Sequence, residues 1–295
     1  MWVPITLAAA TFQILRTSRQ HQLRGVLSTA AAGYVRFAYG APLAVLASAI
    51  LFGLLGRAVP PIPNDFWPII VAAGIAQILG TVALLASFKV RDFAVGTVYS
   101  KSEVLILAAL GAIGLGTALE PAGWIGAILV TVGVVSLASH GSVRSLTRAA
   151  DPAALLGLVA GGLFGLTAIG IGEAADRLGG GPSFDRAMLT LTALLVIQAV
   201  LNTAWFLVTD RSEIVVTFRA WRPATTVGIL SLCGSLGWAW AFTLASAAKV
   251  RTLGQVELVI AFLVARLVLR ERHTRADYLG SALELVGVLL VTWLG

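Results

Sequence analysis

Histidine, cysteine and charge are what this chain has least of. The single Cys233 excludes a disulfide framework. His21, His140 and His273 are far apart and stand in polar connecting segments, so no cluster at metal-ligand spacing exists and neither a structural zinc nor a haem is expected. The same scarcity argues against a membrane hydrolase or acyltransferase, which needs a Ser/His/Asp or His/Asp cluster. No Walker-type glycine loop is present, which argues against an ATP site. No enzyme activity and no cofactor are expected. Charged residues make up 12% of the chain, against about 25% in soluble domains. The net charge of +7 does not point to nucleic acid, because the basic residues sit in ones to threes between apolar runs and act as membrane-topology determinants.

What fills the space is apolar. Hydrophobic residues are 58% of the sequence and the mean hydropathy is +0.91, so lipid is the solvent. About 20 residues cross the roughly 30 Å of hydrocarbon. Windows of that length give ten helices near 2–20, 31–56, 66–88, 94–117, 121–139, 153–175, 185–208, 223–246, 251–269 and 277–294. The stretch from Met1 to Leu15 lacks a basic leader region and is expected to be the first membrane segment rather than a removable signal. Chemistry marks the breaks: Pro60, Pro61 and Pro63, Glu120-Pro121, the polar joint from His140 to Pro152, and the glycine turn Gly179 to Pro182.

The chain also contains itself twice. Shifted by 154, residues 66–136 fall on 220–290 without a gap: Trp67 on Trp221, Gly74 on Gly228, Gly80 on Gly234, Phe88 on Phe242, Glu103 on Glu257, Gly126 on Gly280, and Gly133 on Gly287 (257 − 103 = 154). The expected fold is therefore an all-α polytopic membrane protein of ten helices in two five-helix repeats. These are residues 1–140 and 153–295, joined by a linker at 141–152. Five is odd, so the second repeat enters from the opposite side and the repeats are inverted. The recurring glycines allow close helix approach, which serves packing or smooth sliding equally well.

Several stretches carry a family resemblance. They are Arg36 in Tyr34-Val35-Arg36-Phe37 and Arg186 in Phe184-Asp185-Arg186, near the starts of the second helices. Others are Tyr99 to Glu103, Val250 to Glu257, and the repeat ends Gly126…Gly133-Val134-Val135 and Gly280…Gly287-Val288-Leu289. In these and in its five-plus-five plan the chain resembles the drug/metabolite transporter superfamily, EamA-like branch. The resemblance implies a secondary transporter, often an exporter, multi-pass in a bacterial inner (plasma) membrane, monomeric or homodimeric. It also implies that helices one, three, four, six, eight and nine surround a central cavity, and that both termini are cytoplasmic. The arginines point the other way: Arg16, Arg19, Arg144, Arg148, Arg219 and Arg222 fall in odd-numbered loops, which by the positive-inside rule places the termini outside.

Carboxylates inside membrane helices cost at least about 2.5–3.5 kcal/mol on insertion scales and so face partners or water-filled cavities. Glu103 lies about nine residues, roughly 13 Å, into its expected helix, and Glu257 holds the matching place in the other repeat. Tyr99 shares a face with Glu103, one turn away; Lys101 points to another face, as Gln255 does relative to Glu257. Gln13, Gln77 and Trp238 are further polar or aromatic candidates, Gln13 and Gln77 as substrate donors or as interhelical hydrogen bonders. An aromatic and carboxylate pocket suits an amine or amino acid. Two readings of the glutamates stand side by side. Either they bind substrate or a coupling proton, or they are fixed in ion pairs with Arg36 and Arg186, or with Lys101 and Arg251. A lipid-carrier or phosphate-bearing substrate held by Lys101 and Arg251 is the alternative cargo.

Overall fold

The computed structural model describes residues 1–23, 27–90, 100–101, 103–114, 119–138, 152–256 and 275–294. Among these there are helices and connections and no strand. The helices are α1 (Trp2–Leu23), α2 (Thr29–Ser48, continued by a wide π turn, Ala49–Leu54), α3 (Phe66–Val90), α4 (Glu103–Ala112), α5 (Pro121–Ala138), α6 (Pro152–Arg177), α7 (Ser183–Thr209), α8 (Arg211–Arg219), α9 (Trp221–Phe242), α10 (Ala247–Gly254) and α11 (Arg275–Leu294). Among the described residues, five stretches are long and apolar enough to cross a membrane: Ala31–Leu54, Phe66–Leu84, Leu155–Arg177, Ser183–Thr209 and Trp221–Phe242. Glu103–Ala112, Pro121–Ser136 and Tyr278–Leu294 are shorter apolar helices. The expected linker from 141, both ends of the expected fourth span and most of the expected ninth fall outside the described residues.

Local chemistry explains the boundaries. Gly56 takes φ +65° and ends the α2 helix, and Gly180 and Gly181 at φ +74° and +81° make the turn into α7, a region that side-chain-bearing residues avoid. The connection expected after α7 instead holds a helix, α8. Asp210 caps it by accepting hydrogen bonds from Ser212 N (2.9 Å) and Ser212 Oγ (2.6 Å). The span expected over 223–246 stops at Phe242. Ser246 then opens α10 four residues earlier than the expected 251, its Oγ accepting from Lys249 N at 3.4 Å.

The bonds from Ser212 hold the Asp210 carboxyl below the usual carboxylate range. A depressed folded-state value means that this cap supports the fold above the ordinary carboxylate pKa and fades as pH falls through the depressed one. Asp210→Ala should accordingly melt below the wild type at neutral pH. Melts at successively lower pH should show that gap closing; a constant gap would refute the assignment.

The described chain forms two compact units: Met1–Ile75 with Gly170–Leu244, and Ala76–Ile169 with Ala245–Gly295. Each draws on both halves of the sequence. In the first unit, α9 packs on α1 and α2, and α2 also packs on α7 and α8. Leu23, Leu27, Ala31, Val35, Ala224 and Val227 form one of its apolar cores. In the second, α5 packs on α11. A Cβ on Gly126 would lie 2.6 Å from the Gly287 carbonyl oxygen, and one on Gly133 would lie 2.6 Å from the Gly280 carbonyl oxygen. Residue numbers rise on one helix as they fall on the other, so the two run antiparallel. The 154-residue offset exchanges the two contacts (126 + 154 = 280; 287 − 154 = 133), which is how a self-complementary two-fold contact behaves.

Candidate substrate site

The second unit brings Glu103 to Arg251. Glycines on α6 place the carboxylate: a Cβ on Gly161 would stand 2.8 Å from Ser100 O and 3.3 Å from Glu103 N, so the start of α4 lies directly on the α6 backbone. Gly165 faces Leu107 and the Glu103 Cγ. On the other side, α10 presents Arg251. Its Nε donates to Glu103 Oε1 and its Nη2 to Glu103 Oε2, each at 2.6 Å, the parallel two-bond fork that a guanidinium and a carboxylate favour. The Glu103 side chain is 3% exposed and that of Arg251 20%. Val104, Leu107, Ala108, Ala127, Ala248 and Val291 form an apolar cluster alongside. In such surroundings each charge depends on the other.

Gln255 completes the group. It follows Arg251 by one turn, donates Nε2 to the Arg251 carbonyl at 3.4 Å, and is 3% exposed. Its Oε1 is buried and makes no hydrogen bond. A buried acceptor without a donor is costly and is suited to a ligand N–H or O–H. Lys101, two residues before Glu103, is half-buried. Tyr99 and Glu257 lie outside the described residues.

The other expected residues go to separate places. Trp238 Nε1 donates to Gln13 Oε1 at 3.1 Å, so in the first unit Gln13 ties α1 to α9, the hydrogen-bonding alternative of its two expected roles. Gln77 is half-buried on α3. Among the described residues Arg186 pairs with an aspartate rather than a glutamate. Its Nη1 donates to Asp176 Oδ1 at 3.0 Å and to the Ala175 carbonyl at 3.2 Å, closing the α6–α7 turn. Among the described residues no glutamate pairs with Arg36; its guanidinium carbon stands 4.8 Å from the centre of the Phe37 ring. Among the described residues, then, Arg251 takes Glu103, Arg186 takes Asp176 on the preceding helix, and Arg36 stands beside the Phe37 ring.

Two buried acids were not singled out from the sequence. Glu284 is fully buried in the middle of α11. Its partner under the 154-residue shift is Val130, so the repeat that pointed to Glu103 and Glu257 hid it. Asp185 is 2% exposed and takes the Nε of Arg57 at 3.1 Å. Its signal was an acid beside Arg186 in the first turn of an apolar span.

With the apolar helices and the buried charge pair described, a family model is found to match the second half of the chain. Residues 151–293 belong to the EamA-like transporter family. That family lies in the drug/metabolite transporter superfamily, so the chain is an integral, multi-pass membrane protein of a transporter family with a small-molecule substrate. A solved crystal structure, described only as that of a protein, superposes over 99% of this chain and 96% of its own, with a TM-score of 0.72 at 18% identity. At that identity the likeness extends to the fold. No curated protein matches.

Proposed function

We propose that this EamA-like protein is a secondary transporter, an exporter, of a small polar metabolite such as an amino acid or amine, working by alternating access. The observation that carries the reading is the Arg251–Glu103 pair with the unused Gln255 acceptor beside it. A zwitterion brings both charges of such a pair with it. Its ammonium can replace Arg251 on Glu103 while its carboxylate replaces Glu103 on Arg251, so no buried charge is left unpaired during the exchange. An amino acid fits this chemistry better than a simple amine or a phosphate ester. In this reading the second glutamate, Glu257, carries the coupling proton, the role its place in an apolar stretch of the sequence suggests. The architecture we propose has ten crossings in two inverted repeats, supported by the reciprocal, antiparallel Gly126–Gly287 and Gly133–Gly280 contacts.

Uptake of a panel of amino acids, amines and phosphate esters into proteoliposomes tests this. A zwitterion should be the best substrate. Glu257→Gln should keep exchange of substrate for substrate but lose its response to a proton gradient, while Glu103→Gln should lose both. Undiminished, pH-responsive uptake in the double variant would remove both glutamates from the mechanism. Preference for polyprenyl phosphates would favour the phosphate-bearing cargo instead.

A further inference from the structure

Arg36 stands within the apolar span Ala31–Leu54, on the α2 helix of the first unit. An arginine keeps its charge under any condition a cell offers, and at that depth it needs compensation. The Phe37 ring face, 4.8 Å from its guanidinium carbon, supplies a little. Its Nε is buried and makes no hydrogen bond, and among the described residues no carboxylate pairs with it. A carboxylate at that end of α2, Glu213, is taken by the Ser28 hydroxyl at 2.6 Å.

The charged neighbour of Arg36 is a second arginine. Gln20 Nε2 donates to the Ala32 carbonyl at 3.0 Å and pins α1 against α2. The two helices are joined by a short connection and run antiparallel, so one turn back from Gln20 and one turn on from Ala32 come opposite each other. Those positions are Arg16 and Arg36. The positive charge of Arg16 bears on Arg36 accordingly. Gln13 continues the same α1 face and bonds Trp238. A polar strip thus runs along α1 with a like-charge pair of guanidiniums in it. A buried guanidinium nitrogen that makes no hydrogen bond, in an apolar span and beside a second positive charge, suits an oxyanion, which guanidinium groups bind by parallel hydrogen bonds.

We propose that Arg36, with Arg16 opposite it, forms an oxyanion site in the first unit that takes the carboxylate or phosphate group of a ligand. It uses no residue of the Glu103–Arg251 pair. That the ligand is cargo rests on the transport reading; that it binds at Arg36 does not.

The test is binding by the purified full chain in nanodiscs, read as thermal stabilisation. One arm adds acetate or inorganic phosphate to nanodiscs of zwitterionic lipid; the other replaces part of that lipid with an anionic one. The wild type should be stabilised in at least one arm, and Arg36→Gln should weaken the affinity about tenfold or more, the scale of hydrogen bonds from a charged donor. Stabilisation by the soluble anions points to a soluble ligand, and stabilisation by anionic lipid alone points to a headgroup; both support the site if lost in Arg36→Gln. Arg36→Lys should fall between. Arg36→Gln should also melt at or above the wild type without added anion, because a repelled, unbonded charge has gone. Equal stabilisation of wild type and Arg36→Gln in both arms would overturn the proposal, as would failure of both variants to fold, which makes Arg36 structural. Transport assays then separate the two readings: anion binding without transport sinks the transporter, and transport without anion binding sinks the site.

Discussion

Replacing Arg251 with alanine should destabilise the protein by about 3–5 kcal/mol, the cost of leaving one member of a buried ion pair alone. The carboxylate left behind, Glu103, is 3% exposed and loses both of its 2.6 Å hydrogen bonds. Glu103→Ala should be comparably damaging, and Glu103→Gln milder, since an amide oxygen still accepts from the guanidinium. Removing both charges together, as Glu103→Leu with Arg251→Met, should restore most of the loss, because the desolvation cost disappears along with the attraction. Thermal or denaturant melts in detergent of the wild type, Glu103→Leu, Arg251→Met and the double variant give the coupling energy directly. If the single variants add without coupling, the two side chains do not depend on each other in solution. The same series bears on mechanism: the restored double variant should be folded and inactive if the pair exchanges partners with substrate.

The second large effect is expected where α5 crosses α11. Gly287→Ala would put a methyl group 2.5 Å from the Gly126 carbonyl oxygen and 2.7 Å from the Val130 nitrogen, neither of which can rotate away. Overpacking commonly costs about 1–3 kcal/mol, and rigid backbone on the receiving side puts this site at the upper end, about 3 kcal/mol. Gly126→Ala should behave alike, since its methyl group would meet Gly287 O at 2.6 Å from the opposite side. Gly162→Ala is the internal comparison. Nothing lies within 4 Å of its added carbon, so the better helix propensity of alanine should raise stability by about 0.5–1 kcal/mol. Melts that rank Gly287→Ala with Gly162→Ala would mean the crossing is looser than described.

What the sequence made legible follows from what lipid demands. Long apolar stretches between prolines, glycines and charged joints had to be helices, and the α3, α6 and α7 boundaries fall within a few residues of the expected ones. The repeat located Glu103 because a buried acid is rare enough to align. Partner choice was less legible. Arg186 chose Asp176, ten residues back, because the Gly180-Gly181 turn brings the start of α7 to the end of α6, and no spacing rule conveys that chain reversal. Glu284 went unnoticed for the complementary reason: a search for repeated features passes over the position at which the copies differ. The α8 helix was hidden by its polarity, since a hydropathy window responds to crossings and not to a short amphipathic turn of chain capped by Asp210.

The two compact units impose an order on biosynthesis. The first unit needs Met1–Ile75 together with Gly170–Leu244, so its opening helices are made long before the segments they pack against. The interval to the last of these is 169 residues (244 − 75). At about 5–20 residues per second, that is roughly 10–30 s during which α1 and α2 exist without α9. During that wait the Gln13 amide and the α2 face carrying Ala31 and Val35 are held in nascent helices that have yet to meet Trp238, Ala224 and Val227. Insertion machinery or lipid must shelter them meanwhile. A ribosome-bound chain stopped before residue 221 should accordingly be more open to proteases in α1 and α2 than one released after residue 244.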